Sequence, residues 1–108
     1  MGSGWELAYA QFEALCAAHA DKFEQATIEN ARTLLVSLAE VCPAPDAVAM
    51  GYWPTVRFCW TSHHRLTEIE VFEYRFELYA FSQGATEIRS FPSEPDKRIP
   101  QGLIDLLT

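Results

Sequence analysis

A chain of 108 residues with 49% apolar and 13% aromatic side chains is long enough to bury a core as one domain, 1–108, without staples, and too apolar to stay disordered. Its formal net charge of −7 argues against direct binding of nucleic acid, which needs a basic stripe to neutralise phosphates. The same charge favours solubility and permits steering toward a basic protein partner.

No apolar run of about 18 residues is present to cross a bilayer, and the N-terminus lacks the charged and apolar regions of a secretion signal. A cytoplasmic location without a membrane partner is the expectation. Cys16, Cys42 and Cys59 are odd in number and sit among apolar neighbours. They read as buried reduced thiols rather than as a disulfide framework.

From Trp5 to about Phe23 there is neither Gly nor Pro, and Ala, Leu, Glu and Gln are frequent, a composition that favours helix. Trp5, Ala8, Phe12, Leu15, His19 and Phe23 recur at three- and four-residue steps and build one apolar stripe. Ser3 with Glu6 has the spacing of a capping box. His19 falls near the end of the stripe, where a partly buried imidazole complementing the helix dipole is a simpler reading than a ligand or base.

A second helical pattern, with Ile28, Ala31, Leu35, Leu38 and Cys42 on one side, extends to Val41 or Cys42. Asp21 and Glu24 offer another capping box, placing the break between residues 19 and 27, although one long helix is also compatible. Pro43 and Pro45 end the pattern. Ala47 to Trp53 predicts a short strand, interrupted by Gly51 and stopped by Pro54.

Thr55 to Phe81 alternates apolar and polar residues at period two, the signature of strands with one buried face. Val56 to Trp60, Leu66 to Phe72 and Arg75 to Phe81 form three neighbouring antiparallel strands. Ser62-His63-His64-Arg65 and Glu73-Tyr74 are the hairpin loops between them. Thr86 to Phe91 predicts a further strand after the turn Ser82-Gln83-Gly84-Ala85, where Gly84 supplies a positive φ. Pro92 to Arg98 is loop by composition, and Pro100 suits the first position of a short terminal helix packed through Ile99, Leu103 and Leu106. The sum is an α+β domain: two N-terminal helices on one face of a four- to five-stranded antiparallel meander, with a short C-terminal helix.

Chemistry-bearing residues are sparse. Adjacent His63 and His64 point apart in a tight turn and have no third ligand at a recognisable spacing, so neither a metal nor a cofactor is expected. A Cys59 nucleophile would need one of these histidines folded over its strand. Glu68 and Glu70 lie roughly 6.5–7 Å apart on one strand, a glycosidase-like separation, but that chemistry needs a sugar-sized cleft, which a domain this small with an open sheet rarely provides. The expectation is therefore a protein that is not an enzyme.

The sheet itself is more informative. With Val56, Phe58, Trp60, Ile69, Val71, Phe76, Leu78 and Ile88 under the helices, the opposite face presents Arg57, Glu68, Glu70, Phe72, Glu77, Tyr79, Phe81, Glu87, Arg89 and Phe91. Carboxylates mixed with large aromatics mark a contact surface. Glu68, Glu70, Phe72, Glu77, Tyr79, Phe81 and Glu87 are the candidate partner-binding residues. A second copy of the chain, or cover by the terminal segment, would also account for such a face.

In size, acidity and the order of helices followed by a β-meander, the chain resembles the small acidic inhibitor proteins of phages and mobile elements, the anti-CRISPR type. That profile implies an inhibitor occupying a basic surface of a nucleic-acid-handling complex. Immunity proteins and antitoxins share the profile, a homodimeric structural subunit is a further alternative, and a small enzyme using Cys59, His63 or His64 is the remaining one.

Overall fold

A computed structural model describes residues 3–51, 54–62, 65–82, 84–93 and 99–107. The expected histidine turn (His63, His64), Trp53, Gln83 and the stretch 94–98 lie outside the described residues. The elements in chain order are α1 (Ser3–Ala18), α2 (Gln25–Leu38), β1 (Ala47–Met50), β2 (Val56–Ser62), β3 (Arg65–Val71), β4 (Arg75–Ser82), β5 (Ala85–Pro92) and α3 (Gln101–Leu107). Five strands make one antiparallel sheet in sequential order, so the fold is α+β.

The apolar stripe of α1 places Trp5, Ala8 and Phe12 in the core, and α2 adds Ala31, Leu34, Leu35 and Leu38. Both helices are shorter than their patterns predict. Helix α1 stops at Ala18 rather than Phe23, because the chain turns through His19, whose carbonyl accepts from Lys22 N–H at 2.9 Å. That turn brings Phe23 back against the core and edge-on to His19, with ring centroids 6.5 Å apart.

Helix α2 begins after Glu24, an extended residue with no side-chain cap whose carbonyl accepts from Thr27 and Ile28 N–H. The Asp21–Glu24 capping box does not form, since Glu24 itself holds the N-cap position. After Leu38 the helix tightens: Val41 and Cys42 N–H both donate to the Leu38 carbonyl, leaving Val41 in solvent.

Two indoles anchor the segment that joins helices to sheet. Trp5 Nε1 donates to the Cys42 carbonyl and Trp60 Nε1 to the Pro43 carbonyl, each at 2.9 Å. Burying an indole is favourable only when its N–H finds a partner, and here those partners are carbonyls of a segment whose prolines have no N–H of their own to offer. Gln11 of α1 accepts from Val48 N–H of β1 at 3.0 Å, and Asn30 of α2 donates to the Phe72 and Glu73 carbonyls at the β3–β4 turn. Helix α3 adds Leu103 and, just before it, Ile99 to the core.

Residues paired across antiparallel strands share a face. The rows Val48–Phe58–Ile69–Leu78–Arg89 and Met50–Val56–Val71–Phe76–Phe91 therefore face the helices. The rows Ala47–Cys59–Glu68–Tyr79–Ile88 and Ala49–Arg57–Glu70–Glu77–Ser90 form the open face.

This corrects the expectation for β5. Ile88 is on the open face and 60% exposed, while Glu87, Arg89 and Phe91 lie on the helix side. The cause is the short β4–β5 connection: Ser82 pairs with Ala85 and Gly84 adopts φ 79°, and a register fixed at the turn decides the face of every residue after it. Assigning β5 by its single large aliphatic residue reverses the strand.

Deleting a fully buried ring removes transfer energy and leaves a cavity. Phe12→Ala is expected to lose about 3–5 kcal/mol of unfolding free energy in a urea titration. Leu7→Ala, at a site 59% exposed on the same helix, should stay within about 0.5 kcal/mol of the parent.

Candidate functional site

Of the seven residues expected to bind a partner, the register brings six together on the open face: Glu68, Glu70, Phe72, Glu77, Tyr79 and Phe81. Glu87 is separated from them on the helix side of β5, paired with Arg89 at 2.9 Å.

Glu70 is only 4% exposed, so it is not offered to a partner. Its carboxylate is an internal anchor: Thr55 Oγ1 donates to Oε2 at 2.5 Å and Tyr79 OH to Oε1 at 3.3 Å. A buried carboxylate is tolerated when donors surround it, and Arg57 stands directly across from it on β2. Gly51 makes room for this arrangement, since a Cβ there would lie 2.6 Å from Glu70 Oε2 and closer still to Thr55 Oγ1. Thr55 and Gly51 escaped the sequence reading. The nearest signal was Gly51 beside a strand, a mark of close backbone approach.

Glu77 sits opposite Glu70, a like-charge pairing that would destabilise the sheet. Arg75 relieves it, binding Glu77 Oε1 at 3.3 Å while its guanidinium lies 3.9 Å from the centroid of the Phe72 ring. Phe72 is thereby half-covered by its own hairpin.

Tyr79 and Phe81 stack along β4 with rings 6.4 Å apart and 8° from parallel. Both are partly exposed, as is Leu66, which pairs with Phe81. Glu68 faces Tyr79. What remains accessible on β3 and β4 is therefore an apolar strip, Leu66–Phe81–Tyr79, edged by Glu68 and Glu77 and flanked on β5 by the exposed Ile88 opposite Tyr79.

The negative charge lies elsewhere. On the open face Glu68, Glu70 and Glu77 are nearly balanced by Arg57 and Arg75, whereas the first 50 residues hold seven carboxylates against Lys22 and Arg32. The strongly acidic part of the molecule is the helical half.

Cys59 lies across from Glu68 on β3 and two residues from Arg57 on the same face of β2. Burial first, then the Glu68 carboxylate, push its thiol up, against a smaller opposing pull from Arg57. A nucleophilic cysteine needs the opposite shift. His63 and His64, the bases proposed for it, lie outside the described residues. Cys16 and Cys42 are also free thiols pushed up by burial. Among the described residues no cluster of His, Cys, Asp and Glu is arranged to hold a metal, and no helix is long and apolar enough to cross a membrane.

An open depression of about 330 Å³ lies at the end of the sheet, lined by Lys22, Thr27, Pro54, Thr55, Phe72 and Tyr74 among others. It holds one lysine and one arginine close to Glu24 and Glu73, an exposed mixture of charge without a buried acid–base pair. No protein family, no curated protein and no solved structure matches this chain.

Two expectations follow from the Glu70 anchor. Gly51→Ala should cost about 1–3 kcal/mol in chemical denaturation, the cost of overpacking a filled site, while Gly84→Ala is penalised only through its positive φ, since a Cβ there meets nothing within 4 Å. Burial, together with Glu77 and Glu70, pushes the Tyr79 phenol from its ordinary 10 up to about 12. Because the folded value is the higher, the neutral phenol stabilises the fold fully below pH 10, and that contribution is lost as pH rises from 10 to 12. The stability difference between the parent and Tyr79→Phe, followed by denaturation across that range, should shrink or change sign in the parent's disfavour.

Proposed function

We propose that this chain is a non-enzymatic, cytoplasmic interaction protein that docks on a basic surface of a protein partner through the strip Leu66–Phe81–Tyr79 and its flanking carboxylates Glu68 and Glu77. The reading extends to an inhibitor of a nucleic-acid-handling complex, of the anti-CRISPR type. The observation that carries it is the stacked Tyr79–Phe81 pair, partly exposed on a sheet face opposite the helices. Such aromatics supply contact area at little entropic cost, and anchors of this kind dominate binding energy when desolvated.

The two parts of the surface have different roles. The apolar strip supplies affinity and the rim carboxylates supply register and selectivity. The acidic helical half adds a long-range field that raises the encounter rate with a basic partner and weakens as salt is added. Glu70 supports the docking face from beneath by fixing the Tyr79 hydroxyl.

Capture of partners from a bacterial lysate, followed by affinity measurement with the recovered protein, tests this. Phe81→Ala and Tyr79→Ala should each weaken binding by about tenfold or more, equivalent to about 1.4 kcal/mol. Glu68→Lys should lower the association rate and flatten its salt dependence. Binding that ignores salt and survives both aromatic replacements would overturn the reading.

A further inference from the structure

The two edges of the sheet are treated differently. At β1 the backbone N–H of Val48 is taken by Gln11 of α1, so a helix side chain occupies an edge donor there. At β5 eight residues run along the border with β4 on one side, and Thr86 through Ser90 are all exposed. At the far end of β5 the Ser93 N–H donates to the Tyr74 carbonyl at 3.0 Å, and hydrogen-bonded and non-bonded pairs alternate from there along the β4–β5 register. Thr86, Ile88 and Ser90 consequently turn their N–H and C=O groups outward. Pro92, in the same outward set, has no N–H to offer and ends the edge.

We propose that β5 is a self-pairing edge, joining a second copy of this chain in antiparallel fashion about a two-fold axis at Ile88. In that register Ile88 meets Ile88 of the other copy, Thr86 meets Ser90, and Glu87 meets Arg89 twice over. The outward groups of Thr86, Ile88 and Ser90 form about six interchain backbone hydrogen bonds. Glu87 and Arg89 already attract each other within the strand at 2.9 Å, and both remain about half exposed. Pairing turns these two ion pairs into a ring of four alternating charges, in non-bonded positions where side chains approach most closely. The exposed Ile88 gains an apolar neighbour.

The sequence of β5 selects this register over its neighbours. Centring the axis on Glu87 sets Glu87 against its own copy, and centring it on Arg89 sets two guanidiniums face to face, so like charges disfavour both. Centring on Ser90 opposes Ile88 with Pro92, which has no donor. Centring on Thr86 drives Ile88 toward the turn at Gly84 and leaves both charges without opposite partners. An edge with nothing to choose between registers would slip. This one discriminates by charge and by proline.

Because Ile88 and its copy point the same way, the two open faces lie side by side, and an assembled pair would present two docking strips to a partner. The contact is narrow and belongs with weak, concentration-dependent interfaces.

Sedimentation of the full chain from micromolar to millimolar concentration should show the 12.2 kDa protein converting to twice that mass. Glu87→Arg and Arg89→Glu, each alone, should weaken association by about tenfold or more, since every cross-strand pair then becomes repulsive, and the combined exchange should restore it. Ile88→Cys should form an interchain disulfide under mild oxidation, its Cα atoms being about 5.5 Å apart across the axis, whereas Ser90→Cys and the parent should not. All of these sites are exposed, and unchanged thermal unfolding confirms that the fold is intact. A chain monomeric at millimolar concentration, a dimer insensitive to either charge reversal, or reversals that the exchange fails to rescue would each overturn the proposal. Dimerisation is read on the isolated chain and partner capture on the Phe81 variant, so failure of one leaves the other standing.

Discussion

Register at the hairpins governs everything else in this molecule. Ser62 pairs with Arg65, Val71 with Phe76 and Ser82 with Ala85, and connections this short leave no freedom for a strand to slide. Once each turn closes, the pleat assigns every later side chain to one face. The core row of Phe58, Ile69 and Leu78 and the open row of Glu68 and Tyr79 are two outcomes of the same three turns. Helix packing then seals the row that is continuously apolar.

The open face is more internally organised than a solvated sheet surface. Its centre is a buried carboxylate held by two hydroxyls, and its like-charged neighbour Glu77 is neutralised by Arg75, which also covers Phe72. These local compensations remove most of the face's net charge while leaving Tyr79 and Phe81 partly bare. Charge and stickiness are thereby divided between the two layers: carboxylates dominate the helical half, and aromatic area dominates the sheet. A partner would feel the first at long range and the second only on contact.

Much of this was legible in the residues themselves. Alternation identified β2 to β4 and their faces, and the stripe of Trp5, Ala8 and Phe12 identified α1, because periods of two and 3.6 are properties of the backbone. Helix ends were less legible: Asp21 and Glu24 placed the break only to within residues 19–27, and Phe23 continues the apolar period even though the chain has already turned. Strand β5 was legible but its two faces were misassigned, because one isoleucine carries little information about burial at an edge, whereas turn length carries a great deal. The hydroxyl anchor of Glu70 was invisible for a different reason. Thr55 and Glu70 are 15 residues apart, and their contact exists only after β2 and β3 have paired.

The sequential order of the strands has a kinetic side. Each strand finds as its neighbour the segment synthesised immediately before it, so the sheet is completed by closing a series of small loops, with no crossover to wait for and no strand to thread between two others. Hydrogen bonds widely separated along the chain join the helices to the sheet, notably the 37-residue span from Gln11 to Val48 and the 42-residue span from Asn30 to Phe72. The meander is thus suited to closing locally, and the pairs most widely separated along the chain are those made when the helical layer docks on it.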